Sequence, residues 1–358
     1  MEKLNIQVTK RKENIVLPEK LGFGKYFTDH LFEMDYNPQD GWHNASIKPL
    51  AKMGFHPAAV FIHYGQAAFE GLKAFKRDNG DVVLFRPEDH FKRMNNSCER
   101  LCMPKIDIPF VVDALKKLVD IERDWIPAVK GESLYIRPFI FGSDSFLGVK
   151  PSSTYKFLII LSPVAAYYPE GFKPVKILVQ DDFARAVKKG MGECKTPGNY
   201  AASLLAEEFA VKKGFTQVLW LDGNEQKYVD EVGTMNFFVR FKNEVATPAL
   251  NGGILHGVTR KSVVQILKDW NVPVSERLIP IKEIVDGYKS GEVLSAFGTG
   301  TAAIISAIGQ LTFKDTDMIF NNNEPDDLEI KLFEEITAIQ RGTRPDTHNW
   351  TVPVPKEF

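Results

Sequence analysis

Two junctions between turns and regular structure stand out in the segment 191–236, one at a lysine and one at a glutamate. Lys195 directly precedes a Thr-Pro-Gly turn, and Pro and Gly together are typical of a tight loop. An Ala/Leu/Glu-rich helix is predicted over 201–213 and a strand over 217–221. Glu231 then precedes a small Val-Gly-Thr turn that leads into a further strand. The segment therefore predicts an α/β unit in which both side chains lie at loop edges, where functional residues collect.

Lys195 and Glu231 are the residue types that pyridoxal phosphate chemistry requires. A lysine amine can bond covalently to the aldehyde of that cofactor. A carboxylate can keep the pyridine nitrogen protonated, which lets the ring accept electrons. Most Lys and Glu side chains are solvated surface residues, so residue type alone leaves the surface interpretation open.

The composition is that of an ordinary soluble globular protein, with 44% hydrophobic and 25% charged residues among 358. The formal net charge of −1 gives no general attraction to nucleic acid or to an anionic membrane. No apolar run reaches the length of a membrane span, and the first residues lack the apolar centre of a signal peptide. Three cysteines without a disulfide pattern favour a reducing compartment, so we expect a cytoplasmic protein. The seven histidines form no metal-ligand motif, and no metal is expected.

The length and the order of the predicted elements indicate two domains of mixed α/β (α+β) class. The first domain, residues 1–165, is predicted to contain a strand over 59–64 and a helix that starts within 65–73. Residues 166–174 are rich in Pro, Gly and Tyr and are predicted to be an interdomain loop and a candidate substrate gate. Residues 175–358 are predicted to form the larger second domain, with a last helix near 327–341.

A glycine-rich stretch in the second domain offers a different cofactor. Gly298-Thr299-Gly300-Thr301-Ala302-Ala303 follows an apolar strand and matches Gly-x-Gly-x-x-Ala, the pattern of dinucleotide-binding proteins. That pattern requires a helix of roughly 10 residues and then a parallel strand. Residues 303–308 are too few for this helix, and 310–313 already has the character of a strand. The alternative is a tight turn whose backbone N–H groups and Thr301 hydroxyl bind an anion. Both interpretations stay open from the residues alone.

The sequence motifs around Lys195 and Glu231 favour the pyridoxal phosphate interpretation over the dinucleotide one. Lys195-Thr196-Pro197-Gly198-Asn199-Tyr200, followed by Glu231-Val232-Gly233-Thr234-Met235-Asn236, closely resembles the branched-chain amino acid aminotransferases of pyridoxal-phosphate fold type IV. The resemblance runs from Phe27 to Trp350, in several separated blocks that match in order. It implies two α/β domains with the active site between them, and a homodimer. The implied reaction is transamination of L-leucine, L-isoleucine and L-valine with 2-oxoglutarate.

The resemblance also assigns residues to the cofactor. Lys195 would hold pyridoxal phosphate covalently, Glu231 would face the ring nitrogen, and Tyr200 would bind the ring hydroxyl. Arg93 matches the arginine that binds the phosphate in the family. The turn at Val258 and Thr259, together with Thr301, would complete the phosphate site. A Gly-led helix start such as Gly257-Val258-Thr259 suits phosphate on physical grounds as well, although an ordinary capped helix looks the same in sequence.

The substrate residues implied by the resemblance form an aromatic wall, which suits an aliphatic side chain. In the family, the Thr301–Ala302 backbone and Tyr64 receive the substrate carboxylate, and Arg137 would bind the second carboxylate of glutamate. Taken singly, each aromatic residue is more often part of a core. The full set is Phe27, Tyr64, Phe69, Tyr135, Arg137, Tyr167, Thr234 and Ala302.

Two alternatives and one departure from the family accompany this interpretation. Another fold-type-IV enzyme, a D-amino acid transaminase or an aminodeoxychorismate lyase, would keep Lys195 and Glu231. Mammalian branched-chain aminotransferases carry a Cys-x-x-Cys pair after Gly-Thr-Ala, where this chain has Ala303 and Ser306. Cys194 adjoins the lysine, and neighbours on an extended segment point to opposite sides. We therefore expect the Cys194 side chain to pack away from the cofactor.

Overall fold

The computed structural model describes residues 5–6, 17–165 and 172–358. These residues form two compact units, each discontinuous in sequence. The first unit comprises Met1–Tyr167, Cys194–Pro197 and Ala338–Phe358, and the second comprises Tyr168–Glu193 and Gly198–Thr337. The predicted domain limits stay a prediction. The units depart from those limits at the lysine segment and at the C-terminal residues, and most of the loop 166–174 lies outside the described residues.

The first unit contains a nine-stranded sheet. The order across it is β1-β3-β2-β8-β7-β5-β6-β18, with β4 beside β7, and only the short β1 runs parallel to its neighbour. Its strands are β1 (Asn5–Ile6), β2 (His30–Asn37), β3 (Gly41–Pro49), β4 (Ala67–Phe69), β5 (Leu72–Lys76), β6 (Val82–Phe85), β7 (Ser133–Gly142), β8 (Tyr155–Val164) and β18 (Thr351–Val354).

Alternation along β7 divides the sheet into a core face and a polar face. Leu134 and Ile136 belong to the hydrophobic core. Tyr135 and Arg137 alternate with them along the strand and therefore point to the other face. The core face packs against two amphipathic helices, and the Asp107 carboxylate caps the second of them by accepting from Phe110 N at 2.9 Å. The helical segments are α1 (Val60–Tyr64), α2 (Pro87–Arg100), α3 (Ile108–Ile121) and a 3₁₀ turn (Arg123–Trp125).

The second unit contains another nine-stranded sheet, which closes on itself. Its path runs β11-β10-β9-β16-β15-β12, and β12 pairs again with β11, so that six strands form a ring. β13 and β14 extend from β12, and β17 pairs with β16. The strands are β9 (Val175–Gln180), β10 (Gln217–Leu221), β11 (Val229–Val232), β12 (Met235–Phe241), β13 (Val245–Pro248), β14 (Val274–Arg277), β15 (Val293–Gly300), β16 (Ile304–Phe313) and β17 (Thr316–Ile319).

Helices of the second unit cover this sheet, and its main core includes Ile177, Leu219, Phe237 and Leu311. None of the helices in the described ranges combines the length and apolar character that a bilayer crossing needs. The helical segments are α4 (Pro197–Lys212), α5 (Val258–Asp269), α6 (Ile281–Ser290), a 3₁₀ turn (Asn321–Asn323) and α7 (Asp327–Arg341).

Two predictions in the first unit are wrong. The apolar run 59–64 forms the short helix α1, which ends at Gly65 in the left-handed conformation, and not a strand. The small-residue run 65–73 forms β4 and the start of β5, and not a helix. A short apolar run has no period that separates a strand from a buried helix. Pairing with β7 decides the conformation of the second run, because β4 and β5 both hydrogen-bond to it.

The dinucleotide interpretation is also wrong. β15 and β16 are antiparallel neighbours, with Gly300 paired to Ile304, so the glycine-rich stretch is a tight hairpin turn. A dinucleotide site of this kind needs a strand, a helix and a parallel strand, whereas the residues between Gly300 and Ile304 form a turn and not a helix. The turn interpretation of Thr301 and its neighbours is the one that the fold supports.

Candidate active site

The backbone of Lys195 is held on both sides within the first unit. Its N–H donates to Ser97 Oγ at 3.0 Å, and its carbonyl accepts from Phe69 N at 3.0 Å. Thr196 Oγ1 donates to Ala67 O at 2.8 Å. Pro197 favours an extended conformation in the residue before it and then begins α4. The lysine therefore lies on a short extended segment between α2 and β4.

The Lys195 amine is partly buried and lies 4.9 Å from the centre of the Phe69 ring. Desolvation, reinforced by the positive charge of Arg93, lowers the pKa of Lys195 to about 8. Glu70 and Tyr135 act in the opposite direction. A large fraction of the amine is therefore neutral near pH 8, and the neutral amine is the form that attacks an aldehyde.

A fully buried carboxylate, Glu70, organises the cationic side chains beside the lysine. Its Oε1 accepts from Arg93 Nε at 2.7 Å, and its Oε2 accepts from Arg93 Nη2 at 2.8 Å. His90 Nδ1 lies 2.8 Å from the same Oε2. Burial alone would raise the pKa of Glu70, but the charges and hydrogen bonds of Arg93 and His90 hold that pKa well below its usual range. Glu70 was not predicted from the sequence, although a glutamate in the apolar run Phe69–Phe75 is a signal of a buried ion pair.

Three of the predicted substrate residues lie together on the polar face of the first sheet. Arg137 Nη2 donates to the Tyr135 hydroxyl at 3.1 Å, and the Arg137 guanidinium carbon lies 4.8 Å from the centre of the Phe69 ring. Gly71 makes this arrangement possible, because a Cβ there would lie 2.0 Å from the Tyr135 hydroxyl oxygen. Phe23 packs edge-on against Tyr135 at 4.9 Å and was not predicted. Aromatic surface and a cation thus occur within reach of the lysine.

The remaining predicted substrate residues of the first unit are placed differently. Phe27 and Tyr64 are exposed, and the Tyr64 hydroxyl donates to the carbonyl of Leu147. Tyr167 lies outside the described residues. Their contribution to a substrate site stays a prediction.

The second unit holds Glu231 by two hydrogen bonds to one carboxylate oxygen and an ion pair to the other. Glu231 is buried on β11, where its Oε1 accepts from Leu255 N at 2.9 Å and from Asn236 Nδ2 at 3.1 Å. Its Oε2 forms an ion pair with Arg185 Nε at 2.9 Å. The Arg185 guanidinium also donates to the carbonyls of Gly192 and Gly253. An opposite charge and several donors favour an ionised Glu231.

Arg185 was not predicted from the sequence, and glycines explain its position. A Cβ at Gly192 would lie 2.0 Å from the carbonyl oxygen of Gly253, so two loops approach each other as only glycine permits. Arg185 bridges these loops through its hydrogen bonds. Asp230, the strand neighbour of Glu231, has its pKa raised to about 7 by burial and then by the charge of Glu231. The negative charge of Glu231 therefore helps to raise the pKa of the adjacent Asp230.

The other predicted cofactor residues of the second unit lie at turns and helix starts. α5 begins at Val258, with Thr259 buried in its first turn. A Cβ at the preceding Gly257 would lie 1.8 Å from Asn236 Oδ1, which shows how closely the turn approaches β12. Free N–H groups at the start of a twelve-residue helix suit an anion. Thr301 and Ala302 form the β15–β16 turn, Tyr200 lies partly buried in the first turn of α4, and Thr234 is exposed.

Comparison with known proteins decides the family. Residues 67–308 match the family described as amino-transferase class IV. The branched-chain-amino-acid aminotransferase 2 of Bacillus subtilis (strain 168) is 51% identical over 98% of this chain and 97% of its own length. The branched-chain-amino-acid aminotransferase of Mycolicibacterium smegmatis is 40% identical over 92% of this chain and 91% of its own length. The chain belongs to the class IV aminotransferases.

Solved structures agree with this assignment. The T.th. branched-chain amino acid aminotransferase with pyridoxamine 5'-phosphate has a TM-score of 0.76, with 25% identity over 92% of this chain and 99% of that one. A second structure, the branched-chain amino acid aminotransferase of Escherichia coli, has 22% identity over 92% of this chain and 100% of that one. Its TM-score of 0.76 shows that it shares the fold. The mixed α/β fold-type-IV class predicted from the sequence is confirmed.

Class IV aminotransferases use pyridoxal phosphate, and the residues of this chain fit that cofactor. Lys195 is a desolvated amine with a pKa of about 8. Arg93 is a buried guanidinium, and α5 begins after Gly257 with no side-chain cap, so its first backbone N–H groups suit an anion. Glu231 is a buried carboxylate paired with a cation. The described residues thus include an amine for the aldehyde of the cofactor, a guanidinium and a helix start for its phosphate, and a carboxylate for its pyridinium nitrogen.

Proposed function

We propose that this protein transfers the amino group of L-leucine, L-isoleucine or L-valine to 2-oxoglutarate, giving the branched-chain 2-oxo acids and L-glutamate. The observation that carries the proposal is the partly buried Lys195 amine beside Phe69, Tyr135 and Arg137. Aromatic surface suits an aliphatic side chain, and a guanidinium suits the second carboxylate of glutamate. The relatives at 40–51% identity that bear the name branched-chain aminotransferase support the same substrates.

Each residue would have a defined task. Bound pyridoxal phosphate supplies an electron sink that stabilises negative charge at the substrate Cα. The Lys195 amine would act as the general base that removes the proton from the substrate Cα and as the general acid that returns a proton. A pKa of about 8 suits both directions of transfer near neutral pH. Glu231, kept ionised by Arg185, would hold the ring nitrogen protonated.

The remaining assignments concern binding. Arg93 and the backbone N–H groups at Val258 and Thr259 would hold the phosphate, together with Thr301. Tyr200 would bind the ring hydroxyl. The backbone at Thr301–Ala302 and the hydroxyl of Tyr64 would receive the substrate carboxylate. Phe27, Tyr167 and Thr234 would complete the pocket.

Transamination over a panel of L- and D-amino acids tests the function. With 2-oxoglutarate as acceptor, we expect the three branched-chain L-amino acids to give the highest kcat/KM, as followed by glutamate formation. The holoenzyme of Arg137→Lys is a matched variant. It keeps the positive charge but loses the planar guanidinium that can bind a carboxylate through two N–H groups. It is expected to raise KM for 2-oxoglutarate more than KM for leucine. Preference for a D-amino acid, or lyase activity without transamination, would identify another class IV enzyme.

We further propose a homodimer in a reducing cytoplasm. α4 buries Ser203, Ala206 and Ala210 on one face, while Leu205 and Phe209, one turn apart, are exposed with fractional exposures of 61% and 43%. Exposed apolar groups of this kind are typical of protein interfaces. Sedimentation equilibrium of the wild type and of Leu205→Glu measures the assembly, and a monomeric wild type would contradict it.

Mild peroxide is expected to cause no loss of activity that a thiol can reverse. Cys98 and Cys194 are buried, and burial, followed by the nearby Cys194 thiol, raises the pKa of Cys98 to about 12. Protonated buried thiols react slowly. The measurement is leucine transamination by the holoenzyme before peroxide, after peroxide, and after dithiothreitol.

The exposed Cys102 provides the control for this prediction. Cys102→Ser should behave like the wild type, since the only thiol it removes is the accessible one. A large loss that dithiothreitol reverses, and that Cys194→Ser abolishes, would show that the thiol next to Lys195 is reactive.

A further inference from the structure

The fork between Glu70 and Arg93 has a geometry that fixes the arginine side chain. Glu70 is fully buried, and its two oxygens engage Arg93 Nε and Nη2 at 2.7 and 2.8 Å. A bidentate pair of this kind holds the plane of the guanidinium as well as its position. Nη1 lies outside the fork. His90 Nδ1 and Gly71 N add two further donors to Oε2, at 2.8 and 3.1 Å, so the carboxylate is itself held in place.

This pair is also connected to the backbone of Lys195. The Arg93 carbonyl accepts from Ser97 Oγ at 3.2 Å, and Ser97 Oγ accepts in turn from Lys195 N at 3.0 Å. Phe69, the neighbour of Glu70, donates its N–H to the Lys195 carbonyl at 3.0 Å. The arginine, the glutamate and the lysine thus belong to one hydrogen-bonded set in the first unit.

Stability does not explain a carboxylate in this place. Replacing a buried ion pair by apolar residues of similar volume is often neutral or stabilising, because desolvation opposes the Coulomb attraction. Electrostatics beside the lysine do explain it. The charged and titratable groups that act on the Lys195 amine include Arg93, Glu70, Tyr135, Arg137 and His90, and Glu70 is the carboxylate among these five. Glu70 itself is faced by Arg93 and His90.

We propose that Glu70 is a positioning residue, whose carboxylate fixes the Arg93 guanidinium in one orientation and offsets its positive charge beside Lys195. The inference deepens the proposed function and rests on it, because Arg93 acts there as the phosphate ligand. Without Glu70, the arginine would be free to rotate, and its full charge would act on the amine. The proposal therefore predicts two separable effects, one on cofactor affinity and one on the titration of Lys195.

Two substitutions separate these effects. Glu70→Asp keeps the charge but is one methylene too short to reach both Arg93 nitrogens. We expect a loss of pyridoxal phosphate affinity of roughly tenfold, since a charge-assisted hydrogen bond is disrupted, with little change in the Lys195 titration. Glu70→Gln removes the charge, so affinity should fall by up to roughly a hundredfold, and the titration should shift to lower pH. The shift is downward because Glu70 favours the charged amine.

The measurements use the whole chain. Pyridoxal phosphate affinity is measured by titrating the apoprotein, and the Lys195 titration by competitive acetylation of the apoprotein across pH, with the exposed Lys188 as internal standard. Glu88→Gln is the matched control, because it makes the same chemical change on α2 at an exposed residue paired only loosely with Lys92, at 3.3 Å. It should change neither quantity.

The outcomes distinguish this inference from the proposed function. A wild type that binds no pyridoxal phosphate would contradict the proposed function itself. A wild type that binds it, with Glu70→Gln showing unchanged affinity and an unchanged titration, would overturn the role of Glu70. Where thermal melting shows that Glu70→Gln does not fold, Glu70→Asp decides, and wild-type affinity in that variant would overturn the proposal. Equal titration shifts in both variants would also overturn it, since one of them keeps the charge.

Discussion

Lys195→Ala is expected to abolish turnover and to remove the borohydride-reducible link between the protein and its cofactor. The lysine supplies the nucleophile that holds the cofactor and the group that moves the Cα proton. Loss of proton transfer alone costs roughly 10²–10⁴-fold, and loss of the covalent link adds to it. The measurements are leucine transamination, and mass spectrometry of peptides after borohydride treatment of the holoenzyme. Wild type should carry the pyridoxyl mass at Lys195.

A second desolvated lysine makes this test specific. Lys73 on β5 is buried, and burial, followed by the nearby charge of Arg341, lowers the pKa of Lys73 to about 8. The two amines therefore have similar pKa values, so their pKa values alone do not distinguish Lys73 from Lys195 as the nucleophile. Lys73→Met should keep the pyridoxyl mass at Lys195 and most of the activity. A pyridoxyl mass at Lys73, with an active Lys195→Ala variant, would move the catalytic amine to β5.

Glu231→Gln is expected to lower kcat by roughly 10²–10³-fold, the cost of losing one preorganised electrostatic contact in an active site. Glutamine keeps the shape and can still accept from Leu255 N, but it no longer carries the charge that pairs with Arg185. Cofactor should stay bound, since Glu231 is not a phosphate ligand in the proposal. Rapid-quench kinetics with leucine and absorbance of the bound cofactor measure the two quantities.

Asp230→Asn provides the matched control for that variant. Asp230 is a buried carboxylate next to Glu231 on the same strand, and the proposed function gives it no task at the cofactor. Its loss should leave kcat close to the wild-type value. In Glu231→Gln the pKa of Asp230 should fall from about 7, because the charge of Glu231 helps to raise it. Near-normal turnover in Glu231→Gln would remove Glu231 from the chemistry.

Elements with a clear period or clear end signals were predictable from sequence, and runs without either were not. The helix Asp327–Arg341 agrees with its predicted limits because it has a helical period. The strand Gln217–Leu221 agrees as well, because the turn residues Gly214 and Asp222-Gly223 bound this short apolar run. The run 59–64 is too short for its period to decide, and 65–73 becomes extended because it pairs with β7. Tertiary pairing, which a single segment does not encode, determined the conformation there.

The candidate site shows the same division. Lys195 and Glu231 were predicted because each directly precedes a recognisable turn and belongs to a motif. Glu70 and Arg185 were missed, because their significance lies in a partner elsewhere in the chain. Glu70 meets an arginine 23 residues away, and Arg185 meets a carboxylate on a different strand. In the sequence, a buried charge is visible only as a charged residue within an apolar run. The residue that pairs with it can be identified only from the folded structure.

The edge position of β18 has a consequence for synthesis. β18 pairs with β6 through Thr351 and Phe85, so the edge of the first sheet is completed by the last strand of the chain. A ribosome adds roughly 5–20 residues per second, and Thr351 follows its partner Phe85 by 266 positions in the chain. The edge of β6 is therefore left without its partner for roughly 15–55 s of translation. An exposed edge is a template for pairing with other chains. The first unit is therefore completed only when residues 338–358 have been translated, and we expect nascent chains to be prone to aggregate during that interval.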